Sequence, residues 1–252
     1  MQNQGVSVGQ TVFVFFAGLV TALATGLGAL PFVFGRRFTN TWLGPANALA
    51  GGVMLGASAA LLIEGADRNA WRTVLGVALG VVFIAVTAKL LGGHDDLELG
   101  SLRGADAQRA LLIVGVMTVH SGAEGIGVGA SFGPSQTFGI IIALAIALQN
   151  IPEGLAISLV LVPRGTRVRS AAWWSIFSSL PQPLLAVPAY LFVATFAGVL
   201  PAALGFAAGA MVWMVMDELI PDALEHSSRA SVAGVTTVSF GAMLALELLV
   251  SS

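Results

Sequence analysis

Apolar residues fall in long runs along this chain, broken by glycine, proline or a few charges, and eight of the runs are long enough to be read as membrane-crossing helices, which need roughly 20 apolar residues each. They lie at about 10–33, 45–65, 72–92, 109–131, 137–162, 172–196, 200–221 and 231–250. None alternates apolar and polar positions as a barrel wall does, and their Ala, Gly and Leu content suits helices packed closely in lipid. The pattern predicts an all-α fold: a polytopic membrane protein with eight transmembrane helices in a single transmembrane domain over residues 1–252. The first run is not read as a signal peptide, because its leader MQNQGVSVGQ carries no basic residue and the apolar stretch is too long for one.

Composition agrees. Of 252 residues 56% are hydrophobic and 10% charged, and the mean hydropathy is +0.90, whereas soluble domains carry about 25% charged residues. Eleven Lys and Arg with thirteen Asp and Glu are too few to cover a soluble protein of this size. The net charge of −2 gives no basic surface for a nucleic acid. With no cysteine, disulfides, thiolate metal sites and cysteine chemistry are excluded.

Orientation follows from the cations. With the N-terminus outside, the inner loops hold Arg36, Arg37, Lys89, Arg103, Arg109, Arg164, Arg167, Arg169 and Arg229, and the outer loops only Arg68 and Arg72. Short loops rich in Lys and Arg stay cytoplasmic, so both termini are expected to be extracytoplasmic. The one sizeable linker, GHDDLELGSLRGADAQ at about 93–108, is then a cytoplasmic tether, with a weak metal-collecting role for His94 as the alternative. The spacings Gly52/Gly56, Gly76/Gly80, Gly125/Gly129 and Gly205/Gly209 allow helix backbones to approach closely.

Against this apolar background two spans carry ionisable groups at mid-depth, where each costs about 2.5–3.5 kcal/mol or more unless it finds a partner. In the fourth, VHSGAEG puts His120, Ser121 and Glu124 on or near one helical face; in the fifth, LQNIPEG does the same for Gln149, Asn150 and Glu153. Both clusters sit near the midpoints of their spans. If the two faces meet, two carboxylates, an imidazole and an amide oxygen converge in a low-dielectric pocket, where the carboxylates repel unless a dication lies between them. That N/O set suits zinc, iron(II), manganese or cobalt. Pro152 removes a helical donor from the carbonyl of Leu148 and is expected to bend the fifth helix there, freeing that oxygen for an ion or water.

The runs VHSGAEGIGVGASF and ALAIALQNIPEGLAISL resemble the fourth and fifth helices of the ZIP (Zrt/Irt-like) metal transporters of bacterial type, and the likeness covers nearly the whole chain, with GGVMLGASAALLIEG similar to that family's second helix and DELIPDALEH to the end of its seventh. The resemblance implies that His120, Glu124, Gln149 and Glu153 bind the transported ion, with Met54 as an additional ligand. Many bacterial members hold a second metal, whose ligands would correspond to Ser121, Asn150 and Gln182. Here the chain departs from the family pattern: Ser121 stands for the usual Asn, Gln182 for a common Glu, and Ala123 for the motif proline. Two neutral amides and a hydroxyl offset a second dication poorly, so one well-held metal is expected.

Other acidic residues fit a path. Glu64 and Asp67, at the outer end of the second span, are entrance candidates; Asp217, Glu218, Asp222, Glu225 and His226, where the seventh reaches the cytoplasm, are exit candidates. Plain interfacial placement is the alternative for both groups. The function expected is transport of a divalent transition metal (zinc first, also iron, manganese, cobalt or cadmium) toward the cytoplasm by alternating access, in a multi-pass protein of the cell inner membrane. No cofactor is expected beyond the transported metal. The expected partners are that ion and the lipid bilayer, no nucleic acid, with a homodimer left open. One rival is a proton- or sodium-coupled carrier of another substrate. The other is an intramembrane metal hydrolase, which a chain with one membrane histidine and no HExxH equips poorly. The chain is not expected to be an enzyme.

Overall fold

The computed structural model describes residues 7–34, 43–91, 105–162 and 165–251. The described residues are helical with no strand, as an interior without water requires, since a helix satisfies its own backbone groups. Helix α1 spans Val8–Gly26, starts on the side chain of Ser7, which accepts from Gln10 N, and runs through a 3-10 turn at Leu27–Ala29 into α2, Pro31–Phe34. Next come α3, Leu43–Leu91; α4, Ala105–Ser131; and α5, Gln136–Leu161. They are followed by α6, Val168–Ser178; α7, Pro181–Thr195; α8, Leu200–Met214; α9, Ile220–His226; and α10, Arg229–Ser251. Among the described residues, six helical runs are long and apolar enough to cross a membrane: 8–34, 43–87, 136–159, 168–195, 197–226 and 229–246.

Straight, the 49 residues of α3 would extend roughly 73 Å, more than twice the hydrocarbon thickness. They do not run straight. Asn69 leaves the helix, at φ −165° and ψ 98°, and caps the arm that follows: its Oδ1 accepts from Arg72 N at 3.0 Å and its carbonyl from Thr73 Oγ1 at 3.0 Å. The arms lie on α8 and its extension in opposite senses. Along the first, Gly44 meets Ser227 and Gly65 approaches Pro201; along the second, Gly76 meets Ala202 and Gly80 meets Phe206 and Ala210. The chain therefore reverses at Asn69, and α3 is a helical hairpin.

Two packed groups result. One contains α1, α4, α5, α6 and α7; the other contains α3, α8, α9 and α10; they meet chiefly where α3 packs on α5 and α8 on α4. Close backbone approach holds the first group together. A Cβ at Gly154 would lie 1.7 Å from the carbonyl oxygen of Thr25, and one at Gly125 would lie 2.7 Å from that of Gln182, so only glycine lets α1 seat against α5, and α7 against α4, at these points.

The structure amends several predicted boundaries. The sixth segment is two helices, broken at Ser179–Leu180 where Pro181 starts α7, and it begins earlier, at Val168. The seventh continues past 221 to His226 through a π-helical turn at Val215–Leu219. Helix α4 starts at Ala105, taking in the last residues read as linker. Helix α5 continues through Pro152, and the half-exposed Leu148 lines an apolar groove with Leu144 and Val238. His94, Arg103 and the rest of 93–104, with Arg36, Arg37 and Arg164, lie outside the described residues.

Candidate metal centre

Helices α4 and α5 bring their polar faces together as the spacing requires. His120, Ser121, Glu124, Gln149, Asn150 and Glu153 are all buried, Glu124 completely and Glu153 at 4% exposure. Glu124 is gripped on both oxygens: Gln149 Nε2 donates to Oε1 at 2.6 Å, and Gln182 Nε2 donates to Oε2 at 2.6 Å. Asn150 Nδ2 donates in turn to Gln182 Oε1 at 3.0 Å and to the carbonyl of Thr21 at 2.8 Å. Four helices, α1, α4, α5 and α7, thus share one amide–carboxylate network. A hydroxyl chain lies alongside, Ser121 Oγ being 3.5 Å from Ser179 Oγ and that atom 2.8 Å from Thr25 Oγ1.

The amide donors of this network are satisfied, and two of its acceptors are not. Gln149 Oε1 and Asn150 Oδ1 are buried without a hydrogen-bond partner among the described residues, an arrangement that costs free energy unless a cation or water completes it. Beside the network a cavity of about 10 Å³ lies between Met54, Met117, His120, Glu153, Met214, Glu218 and Leu219, room for one water-sized body. Glu153 is within electrostatic reach of both Glu124 and Glu218. Buried Glu124 and Glu153 and the partly exposed Glu218 repel when ionised, and a dication would relieve the conflict.

The cavity lies on the seam between the two helix groups. His120 and Glu153 come from α4 and α5, Met54 from α3, and Glu218 from the π turn that follows α8. His120 Nε2 is 3.2 Å from Glu218 Oε1. Glu218, an exit candidate by sequence, faces His120 at the cavity, and its position has a local cause. The N–H of Ile220 reaches back five residues to Val215 O, widening the turn just before Pro221, which has no N–H to give. The helix then runs on to His226, so Glu218 lies more than a turn inside its end, buried enough to meet His120 while Asp217 is exposed.

The remaining candidates are dispersed. Glu64 is paired with Arg68 at 2.8 Å and Asp67 is exposed, both near the α3 reversal. Ser121, Asn150 and Gln182, like Glu124 and Gln149, are tied into hydrogen bonds beside the cavity and do not line it. The carbonyl of Leu148 does not reach it, because Leu148 is absent from its lining. Asp222, Glu225 and His226 gather on α9. Sequence reading missed Met117 and Met214, although each lies one helical turn from a polar cavity residue, His120 and Glu218. It also missed the carbonyl of Thr21, for which no side-chain signal exists.

A family model described as ZIP zinc transporter matches residues 93–248. An Arabidopsis thaliana protein named for zinc transport is 45% identical over 237 residues, covering 93% of this chain; the chain spans only 38% of that relative's length. The zinc transporter GufA of Myxococcus xanthus is 33% identical over 249 residues, 92% of this chain and 97% of the relative. The zinc transporter ZupT of Corynebacterium glutamicum is 29% identical over 287 residues, 94% and 98% of the two chains.

Proposed function

This chain belongs to the ZIP zinc transporter family, a family of transporters and not of enzymes, and on that premise we propose that it carries a divalent transition metal ion, zinc first, toward the cytoplasm through the cavity on the seam. His120, Glu124, Gln149, Glu153 and Met54 are the ligands in this reading: His120, Glu153 and Met54 line the cavity, Glu124 and Gln149 stand beside it in the hydrogen-bond network, and Glu218 faces His120 from the opposite helix group. The observation that carries it is the mismatch inside the site: buried carboxylates crowd together while Gln149 Oε1 goes unpartnered. A dication answers both.

The second-metal positions read differently here. The amide of Gln182 donates to Glu124, and Asn150 donates to Gln182, so N–H groups occupy the side of Glu124 that a second cation would need. That supports one ion at this centre. Ligands from both groups meet at the seam, so sliding one group against the other would move the ion's coordination from one membrane face to the other, which supports alternating access. The eight apolar runs support eight crossings in a multi-pass protein of the cell inner membrane, and the distribution of Lys and Arg supports both termini being extracytoplasmic.

The test is calorimetric titration of the purified chain with zinc, followed by competition with iron(II), manganese, cobalt and cadmium. Saturable binding that weakens at least tenfold in Glu124→Ala/Glu153→Ala supports the reading; a chain that titrates protons but takes up no dication contradicts it.

A further inference from the structure

Of the 7 methionines in the chain, Met54, Met117 and Met214 line the central cavity, and each comes from a different helix: α3, α4 and α8. Met54 and Met214 are each 1% exposed. A buried methionine usually fills a gap in a core, and its flexible thioether needs no other explanation there. These three face charged and ligating groups instead. Met117 stands three residues before His120 and Met214 four before Glu218, and both members of each pair line the cavity.

The seam divides the donors unevenly. Helices α4 and α5 supply His120 and Glu153, whereas the other helix group supplies one carboxylate, the partly exposed Glu218, and beyond it the thioethers of Met54 and Met214. An ion held from both sides of the seam therefore meets sulfur on the second side. Thioether sulfur is a soft donor, which suits soft and borderline ions and offers little to a hard ion such as manganese. Copper(I) is soft as well, but its single charge would not balance Glu153 and Glu218 as a dication does.

We propose that Met117 and Met214, together with Met54, set the ion preference of the cavity, favouring a soft dication of the cadmium type over a hard one of the manganese type, with zinc between them. This rests on the transport reading of the same cavity. A hard ion is held by His120 and Glu153 from one helix group and by Glu218 alone from the other; a soft ion engages both groups fully.

The experiment pairs X-ray absorption at the cadmium edge with competition calorimetry, using cadmium, zinc and manganese on the purified full-length chain. Sulfur should appear among the nearest neighbours of bound cadmium, and in a chain without cysteine that sulfur can only be methionine. This part needs no variant to fold. In Met117→Leu/Met214→Leu, a swap that keeps volume and apolar character, the sulfur contribution should shrink. The ratio of cadmium to manganese affinity should fall about tenfold or more in that variant, and the ratio of cadmium to zinc should fall by less. Side chains that only pack would weaken every ion alike and leave both ratios where they were. A cadmium shell of oxygen and nitrogen alone, or an unchanged cadmium-to-manganese ratio, overturns the role of the methionines while saturable zinc binding leaves the transport reading standing. A chain that binds none of the three ions overturns both.

Discussion

His120 Nε2 lies 3.2 Å from Glu218 Oε1, and this contact joins the two helix groups at the cavity. If Glu218 helps receive the ion, Glu218→Gln keeps the shape and removes the charge. Zinc uptake measured against zinc concentration should then show an apparent affinity lowered about tenfold or more, while the exposed neighbour, as Asp217→Asn, leaves uptake unchanged.

Gln182 holds Glu124 by an N–H donor where a carboxylate would hold a cation. Gln182→Glu should therefore raise the zinc stoichiometry by one ion per chain in calorimetry, and should lower the melting temperature of the metal-free protein, since two carboxylates then face each other with nothing between them.

Gly154 lets α1 touch α5 next to Glu153. In Gly154→Ala the new methyl meets the carbonyl of Thr25 at 1.7 Å, a clash with backbone that costs about 1–3 kcal/mol or more. Thermal melting in detergent should show the loss. Gly241 on α10 has nothing within 4 Å of its Cβ position, so Gly241→Ala should melt no earlier than wild type.

Protons and metal compete for the same lone pairs on His120, Glu124 and Glu153, all of which must be deprotonated to coordinate. Zinc affinity should fall as the medium is acidified, and binding at neutral pH should release protons, measured as a buffer-dependent heat in calorimetry.

The helices were legible because lipid leaves a backbone few choices, and the facing of α4 on α5 was legible because polar residues four apart in an apolar run must share a helix face. His120, Glu124, Gln149 and Glu153 accordingly meet in one buried cluster. What the sequence hid depends on backbone irregularities with no periodic signature. The break at Ser179–Leu180 starts α7 in the position from which Gln182 reaches Glu124, and the π turn before Pro221 sets Glu218 against His120. Proline marked both places, at 181 and 221, but only tertiary packing decides which way the chain turns there.

Uptake of zinc into proteoliposomes by Glu153→Gln, beside the wild-type chain at equal reconstitution, tests the central claim most directly. Saturable uptake by wild type and its near-complete loss in the variant, with unchanged melting, is the predicted result; a variant that transports zinc as wild type does would contradict it.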